Sequence, residues 1–483
     1  MGNDEGRSLD VASKSIIVAG KFVQTAETYA IRNPHDGSLV AEVCNAEELH
    51  VEHALEAAKC ARGALREESA HRRATLLRRI SELIDKSAER LAQLMAREVG
   101  KPVKAARVEV SRAVFTFAWA AGEAERLLGE VIPFDLVAGA DRRFGLTRLF
   151  PSGPVLGITP FNFPLNLPVH KIAPAIAIGN PIILKPSPIG ALTGLALGEM
   201  ILEAGLPPES LSVIPCKNEL AEKMVRDDRI KVVSFTGSHG VGWALKQKAG
   251  KKKVILELGG NAAVIVDSTA DLDLAARRCA AGAYSYSGQS CISVQRIFAH
   301  RSVFDDFVGR LLRETQKQKI GDPLDESTDI GPVINCDAAK RALSWAKDAV
   351  TRGARFLLEP KLEGSIMSPG ILTNVEDSAA ICCEEIFAPI VVVNPYEKPS
   401  EALTRANNSS FGLQAGVFTR DLNLAMSAFE ELEMGAVLIN EVPTYRMDHM
   451  PYGGVKDSGF GREGIRYAIR EMSEPRLLIL NLG

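Results

Sequence analysis

From Pro154 onward, short apolar runs rich in β-branched residues alternate with helix-length segments, and no other feature of the chain restricts its fold as much. The runs lie at 155–158, 182–184, 211–214, 232–235 and 254–256. Each is too short for a helix and suited to a pleated, buried surface, so the alternation predicts a parallel, doubly wound sheet. A second series at 263–266, 297–299, 390–393, 416–418 and 436–439 predicts a second α/β unit. Before them the chain reads as helical: Leu76, Ile80, Leu83 and Ile84 recur at three and four residues, Leu91, Leu94 and Met95 continue the stripe, and Gly100-Lys101-Pro102 breaks it. A chain of 483 residues has room for about three domains at roughly 150 residues each.

Charge narrows the partners. With 57 basic against 60 acidic residues, the net charge of −3 offers no footprint for nucleic acid or a membrane surface. The most hydrophobic stretch is interrupted by Pro168, His170, Lys171, Pro174 and Pro181, so no membrane-spanning run is expected. The start Met1-Gly2-Asn3-Asp4-Glu5 is acidic, unlike a secretory signal, and Gly6 stands where a myristoylation motif needs Ser or Thr; a cytoplasmic protein is the expectation. Eight cysteines without Cys-x-x-Cys spacing read as free thiols, and Cys44, Cys60, Cys279, Cys336, Cys382 and Cys383 as core fillers. The eight histidines form no ligand pattern and no phosphate-binding Gly-x-x-x-x-Gly-Lys-Ser/Thr run occurs, so neither a metal nor nucleotide hydrolysis is expected.

One cysteine stands apart. Cys291 ends the tetrapeptide Gly288-Gln289-Ser290-Cys291, and 34 residues upstream Glu257 opens the run Glu257-Leu258-Gly259-Gly260-Asn261. A thiol and a carboxylate, each in a small-residue turn, suit covalent oxidation of an aldehyde. The thiolate attacks the carbonyl, the adduct loses hydride to leave a thioester, and the carboxylate activates the water that hydrolyses it. Such a thiol is expected either to have a lowered pKa or to be coupled to a base such as Glu257.

These segments resemble the aldehyde dehydrogenase superfamily, and the resemblance extends through Ile158-Thr159-Pro160-Phe161-Asn162-Phe163-Pro164, Leu184-Lys185-Pro186-Ser187, Phe235-Thr236-Gly237-Ser238, Glu384-Glu385-Ile386-Phe387-Ala388-Pro389 and Pro451-Tyr452-Gly453-Gly454-Val455-Lys456-Asp457-Ser458-Gly459. The last motif is nearest to the branch of lactaldehyde, glycolaldehyde and non-phosphorylating glyceraldehyde-phosphate dehydrogenases. The resemblance implies a Rossmann-type dinucleotide-binding domain over 1–127, 151–256 and 440–470, a catalytic domain over 257–439, and a small β-strand oligomerisation flap over 128–150 and 471–483. It also implies a homodimer or homotetramer. It makes Cys291 the nucleophile, Glu257 the general base and Asn162 an oxyanion donor beside the Cys291 N–H. A CoA-acylating semialdehyde dehydrogenase would share the thioester but typically lacks the base, so Glu257 argues against it; a non-catalytic relative would not need all these positions intact.

For the cofactor, NAD or NADP, the resemblance implies Ile158, Pro160, Phe161, Lys185, Gly237, Ser238, Val241, Glu385 and Phe387. Ser238 follows a predicted strand and opens a predicted helix, whose N–H groups and dipole favour a pyrophosphate; an ordinary helix cap is the plainer reading. Many NAD-preferring relatives carry Glu where this chain has Pro188, which leaves NADP admissible, and Cys216 replaces a usual Gly. Gly459-Phe460-Gly461-Arg462-Glu463-Gly464 fits the dinucleotide pattern, but no strand is predicted before it and no acidic residue follows at the required distance. The resemblance places 444–449 at the substrate mouth. There Arg446 or His449 can bond a short polar aldehyde; equally, Arg446 and Asp448 can pair with each other on the surface.

Overall fold

The computed structural model describes residues 13–483; the acidic segment Met1 to Glu5, with Gly6, lies outside them. Eight described strands form one sheet, in the order Lys21–Val23, Ile16–Val18, Leu211–Val213, Ile182–Lys185, Val155–Ile158, Val232–Thr236, Lys253–Glu257 and Gly459–Phe460. The five central strands run parallel; Ile16–Val18 pairs antiparallel with them on one side and with the edge strand Lys21–Val23, and Gly459–Phe460 closes the other edge antiparallel. Seven more strands form a second sheet, from Arg355–Leu358 through Gly370–Thr373, Ile390–Tyr396, Val294–His300, Ala262–Val266 and Gln414–Phe418 to Ala436–Ile439; it is parallel except at Arg355–Leu358. Both doubly wound sheets expected from the alternation are present.

The amino-terminal region departs from the helical expectation. Before the Glu48–Glu67 helix come Ile16–Val18, Lys21–Val23 and a hairpin of Thr28–Arg32 with Leu39–Cys44. These strands are short, and Lys21–Val23 and Thr28–Arg32 are largely exposed, so their apolar periodicity is weak. The stripe from Leu76 to Met95 is two helices, Ala70–Lys86 and Ala88–Val99, joined at Ser87. Gly100 ends the second in the left-handed region, at φ 66°.

The apolar stretch around Pro168 is the helix Asn166–Ile178, buried on every face, with Pro168 in its first turn and Pro174 inside it. It packs against the long helix Val103–Glu125. Among the described residues no helix is long and apolar enough to cross a membrane. Ser473–Asn481, Arg143–Pro151 and Val131–Pro133 make a separate antiparallel sheet of three strands.

Strand order locates the cleft. In the first sheet the chain runs outward from Val155–Ile158 in one direction, then restarts at Val232–Thr236 on its other side. Ligands of open α/β sheets settle in the crevice at such a reversal, beyond the carboxyl ends of the strands. Glu257 ends another strand on that same edge. Gly260, Cys291 and Glu385 instead precede strands of the second sheet, at their amino ends. The cleft therefore lies between the carboxyl edge of one sheet and the amino edge of the other.

Candidate active site

The glycines of Glu257-Leu258-Gly259-Gly260-Asn261 are there because other segments press on them. A Cβ on Gly260 would stand 2.1 Å from the Cys291 carbonyl oxygen, and one on Gly259 would stand 2.6 Å from a Glu385 carboxylate oxygen. The motif thus brings the Cys291 turn and Glu385 against the strand end that carries Glu257. Gly453 meets Glu257 from the opposite side: at φ 152°, its Cβ would lie 2.9 Å from Oε1.

Cys291 is half-buried, and its Sγ lies 3.2 Å from the Tyr452 hydroxyl. The turn before it is unusual. Tyr286 and Ser287 hold φ of 49° and 57°, a conformation that side chains avoid, followed by Gly288 at 71°. Asn162, also buried, donates from Nδ2 to the Gln289 carbonyl at 3.0 Å and so reaches the same turn.

Burial pushes the Cys291 thiol up to about 12; the hydrogen bond with Tyr452 pulls it back, Glu385 raises it further and Arg446 lowers it. The expectation of a lowered thiol pKa is corrected: the resting sulfur carries its proton. Burial likewise raises Glu257 well above the usual carboxyl range, and the negative charge of Glu463 adds to this against Arg446, Lys171 and Arg462. Neither Glu257 oxygen has a hydrogen-bond partner. Burial would raise Glu463 as well, but Lys171, His170 and Arg446 outweigh it and hold that carboxylate low. The two neighbouring acids are thus pushed apart, Glu463 toward its charged form and Glu257 toward its protonated form.

Lys171 donates to Glu463 at 3.0 Å and to Thr236 at 2.8 Å, and Arg446 donates to Glu463 at 3.1 Å. Asp448 accepts from Arg112 at 2.7 Å and Asn166 at 3.1 Å and pairs with His170 at 2.8 Å. Burial lowers the His170 pKa and Arg446 adds to the effect, against the carboxylates of Asp448 and Glu463. A surface pair of Arg446 with Asp448 is ruled out: the Arg446 side chain is 7% exposed and the Asp448 side chain 3%. The Arg446 guanidinium carbon instead lies 3.6 Å from the Tyr452 ring centre, and its Nε has no partner. His449 joins Phe115 and Trp119, with ring centres 5.9 and 5.0 Å away.

Tyr452, Lys171, His170 and Glu463 were not singled out by sequence reasoning. Lys171 and His170 are signalled only by being polar inside an otherwise apolar helix. Glu463 sits inside the Gly-x-Gly-x-x-Gly match. Contrary to expectation, short strands do precede and overlap that match, but Gly459–Phe460 pairs antiparallel with Lys253–Glu257, and Gly459 lies against the Leu256 carbonyl.

At the reversal of the first sheet, Ile158 ends one strand and Pro160 and Phe161 follow it; Phe161 meets Phe387 edge-on at 6.0 Å. Phe387 has a left-handed φ of 53°. Gly237 and Ser238 open the His239–Lys248 helix, whose first turn exposes Val241. The Ser238 side chain caps nothing, so the plainer cap reading does not account for it. Lys185 is buried at the end of its strand, with only a 3.4 Å contact to Asn218. Glu385 accepts the Gly260 N–H at 3.1 Å, and burial raises it to about 7. These residues fit a dinucleotide: helix N–H groups for its pyrophosphate, a lysine and a carboxyl group for its riboses.

All eight cysteines are free. Cys60, Cys336 and Cys383 are exposed, so the core-filler expectation fails for them and holds for Cys44, Cys279 and Cys382. Cys216 is buried near Lys185, and burial raises its thiol to about 11. Among the described residues no group of three or more His, Cys, Asp or Glu is placed to hold a metal ion.

The aldehyde dehydrogenase family model matches residues 22–478. The 3-sulfolactaldehyde dehydrogenase of Priestia aryabhattai is 41% identical over 474 residues, covering 98% of this chain and 99% of that protein. Aldehyde dehydrogenase 21 from Physcomitrella patens, crystallised with the reaction product succinate, superposes with a TM-score of 0.95 at 39% identity, covering 98% and 99% of the two chains. The NADP complex of the NADP-dependent glyceraldehyde-3-phosphate dehydrogenase from Bacillus halodurans C-125 also gives 0.95, at 34% identity, covering 98% and 100%. Lactaldehyde dehydrogenases are among the other relatives. The chain belongs to the aldehyde dehydrogenase family, and its cofactor is NAD or NADP.

Proposed function

We propose that this aldehyde dehydrogenase oxidises a short aldehyde with an anionic tail to the corresponding acid, with Cys291 as nucleophile. The observation that carries the substrate class is Arg446: a buried guanidinium on the face of Tyr452, with Nε unpaired, one ring away from the Cys291 sulfur. Glu463 is shared between Arg446 and Lys171, so one carboxylate faces two buried cations; the positive charge left over is costly unless matched, and a carboxylate or sulfonate would match it. The sulfonated aldehyde of one relative and the succinate of another are anions of that sort.

In the reaction, the resting Cys291 thiol must pass its proton to a water molecule before its sulfur adds to the carbonyl. Asn162 Nδ2 and the Cys291 N–H donate to the oxyanion that forms. Bound NAD or NADP supplies the acceptor for the hydride that the Cys291 adduct must lose. Glu257 then gives up its own proton to solvent and, as the carboxylate, takes one from the water that hydrolyses the thioester. A carboxyl group raised by burial and by Glu463 is suited to this role because its basicity is higher than that of an exposed glutamate. Lys171 and Arg446 hold Glu463 in place and charged; that charge raises Glu257, while their own positive charges offset part of the rise. Glu385, Lys185 and the helix start at Ser238 hold the dinucleotide, with Ile158, Pro160, Phe161, Gly237, Val241 and Phe387 shaping its walls.

We assign 1–127, 151–256 and 440–470 to dinucleotide binding, 257–439 to catalysis, and 128–150 with 471–483 to oligomerisation as a homodimer or homotetramer. The exposure of Leu477, Leu478, Ile479 and Leu480, at 51%, 52%, 48% and 42%, leaves apolar surface on both faces of the small sheet, which self-association would cover. Free cysteines suit the reducing cytoplasm. Steady-state kinetics across anionic and neutral aldehydes of equal length test the substrate class. A kcat/KM that favours the neutral member overturns it.

A further inference from the structure

Gly100-Lys101-Pro102, a helix break in the sequence, takes no part in the chemistry above, yet it places an ammonium group in the protein interior. We infer that Lys101, paired with Glu109, is a positioning residue that keeps Asn162 and Cys291 in register on the two sides of the reacting carbonyl. Both members of the pair are 1% exposed. Their contacts fall on the two segments that carry the reaction. Glu109 Oε1 accepts the N–H groups of Leu165 and Asn166 at 3.0 and 2.9 Å, just beyond Asn162, while its Oε2 accepts from Lys101. The Lys101 Nζ lies 3.8 Å from the ring centre of Phe163 and 4.5 Å from that of Tyr286, so the cation sits between the neighbour of Asn162 and the start of the Cys291 turn.

That turn needs external support. Left-handed φ values at Tyr286 and Ser287 persist only where surroundings impose them. The Tyr286 hydroxyl donates to the Val99 carbonyl at 2.9 Å and Ser287 Oγ to the Gly331 carbonyl at 2.7 Å. Gly331 in turn lies against Gly100: a Cβ on it would stand 2.5 Å from the Gly100 oxygen. The Asn162 bond to Gln289 closes the circuit. The 99–102 segment therefore holds the turn through the Val99 carbonyl, through Gly331 packed on Gly100, and through the cation of Lys101. Moving either side by about 1 Å is enough to slow a reaction about 100-fold.

The test is the double substitution Lys101→Met with Glu109→Gln, which removes both buried charges and keeps an oxygen for the Leu165 and Asn166 N–H groups. The single-turnover rate constant for reduced-cofactor formation should fall about 10- to 100-fold, with cofactor Kd unchanged and amide hydrogen exchange raised at 285–291. A rate constant within roughly twofold of the parent, or a loss confined to burst amplitude, overturns the inference, since a smaller folded fraction lowers amplitude alone. If the double variant does not fold, Phe163→Leu, which removes one ring from the cation and leaves both the ion pair and the Tyr286–Val99 bond, is judged by the same readouts. The inference rests on the thioester reading of Cys291. A parent enzyme without a burst on any aldehyde would sink that reading, and exchange at 285–291 would still decide the positioning role: raised exchange supports it, unchanged exchange overturns it.

Discussion

The Tyr452 hydroxyl stands 3.2 Å from the Cys291 sulfur, and the face of the same tyrosine carries the Arg446 guanidinium. Thiol, phenol and cation are thereby linked through one side chain. Burial raises both the Tyr452 hydroxyl and the Cys291 thiol, so the contact is between two neutral groups at rest.

Replacing Arg446 by Met should raise KM for anionic aldehydes by about 10- to 100-fold, the worth of one charge-assisted hydrogen bond. Neutral aldehydes of the same length should show much less change. Equal losses on both would mean that Arg446 acts through Glu463 alone.

Glu257→Gln should keep a stoichiometric burst of reduced cofactor while steady-state turnover falls about 10²- to 10⁴-fold. Rapid-quench kinetics distinguish this from a base that also deprotonates Cys291, for which burst and turnover would disappear together.

Glu257 also links stability to pH. Its folded pKa lies above the unfolded value, so the folded state holds the proton more tightly. Its stabilising contribution is complete below the unfolded pKa and is lost as pH rises through the folded one. Glu257→Gln, which cannot ionise, should therefore melt higher than the parent at pH 8, with the difference disappearing toward pH 4. A variant that melts lower at pH 8 would contradict the raised pKa.

Glu463→Gln should move the acid limb of the deacylation profile to lower pH, because it removes the negative charge that raises Glu257 and leaves Lys171 and Arg446 nearby. A shift to higher pH in the kcat profile would show that the two carboxyl groups are not coupled in this sense.

Pro188 opens a short 3-10 turn three residues beyond Lys185. Introducing Glu there should move selectivity from NADP toward NAD by placing a carboxylate near the adenosine ribose. An unchanged ratio of the two kcat/KM values would place Pro188 away from that ribose.

The alternation of apolar runs with helical segments showed both main sheets in the sequence, since buried parallel strands are nearly continuous in Val, Ile and Leu. Cys291, Glu257 and Glu385 were legible because tight turns and glycines mark them: Gly259 and Gly260 admit Glu385 and the Cys291 carbonyl at distances no Cβ would allow. The strands before residue 44 were missed, since exposed edge strands such as Lys21–Val23 have little apolar pattern. Lys171, Glu463 and Arg446 come from distant parts of the chain and meet only after folding. Their charges shift one another, so the protonation of Glu257 and Cys291 could not be read from local sequence. The lowered thiol pKa expected for Cys291 failed for that reason: a motif identifies a nucleophile, while burial sets its resting protonation.

Trapping the acyl enzyme tests the central claim most directly. Glu257→Gln, mixed with NAD or NADP and an anionic aldehyde and quenched in acid, should show by peptide mass spectrometry one acyl group on Cys291, in amount equal to the reduced cofactor formed. Reduced cofactor formed without an adduct on Cys291, or an adduct on another residue, would contradict the thioester mechanism.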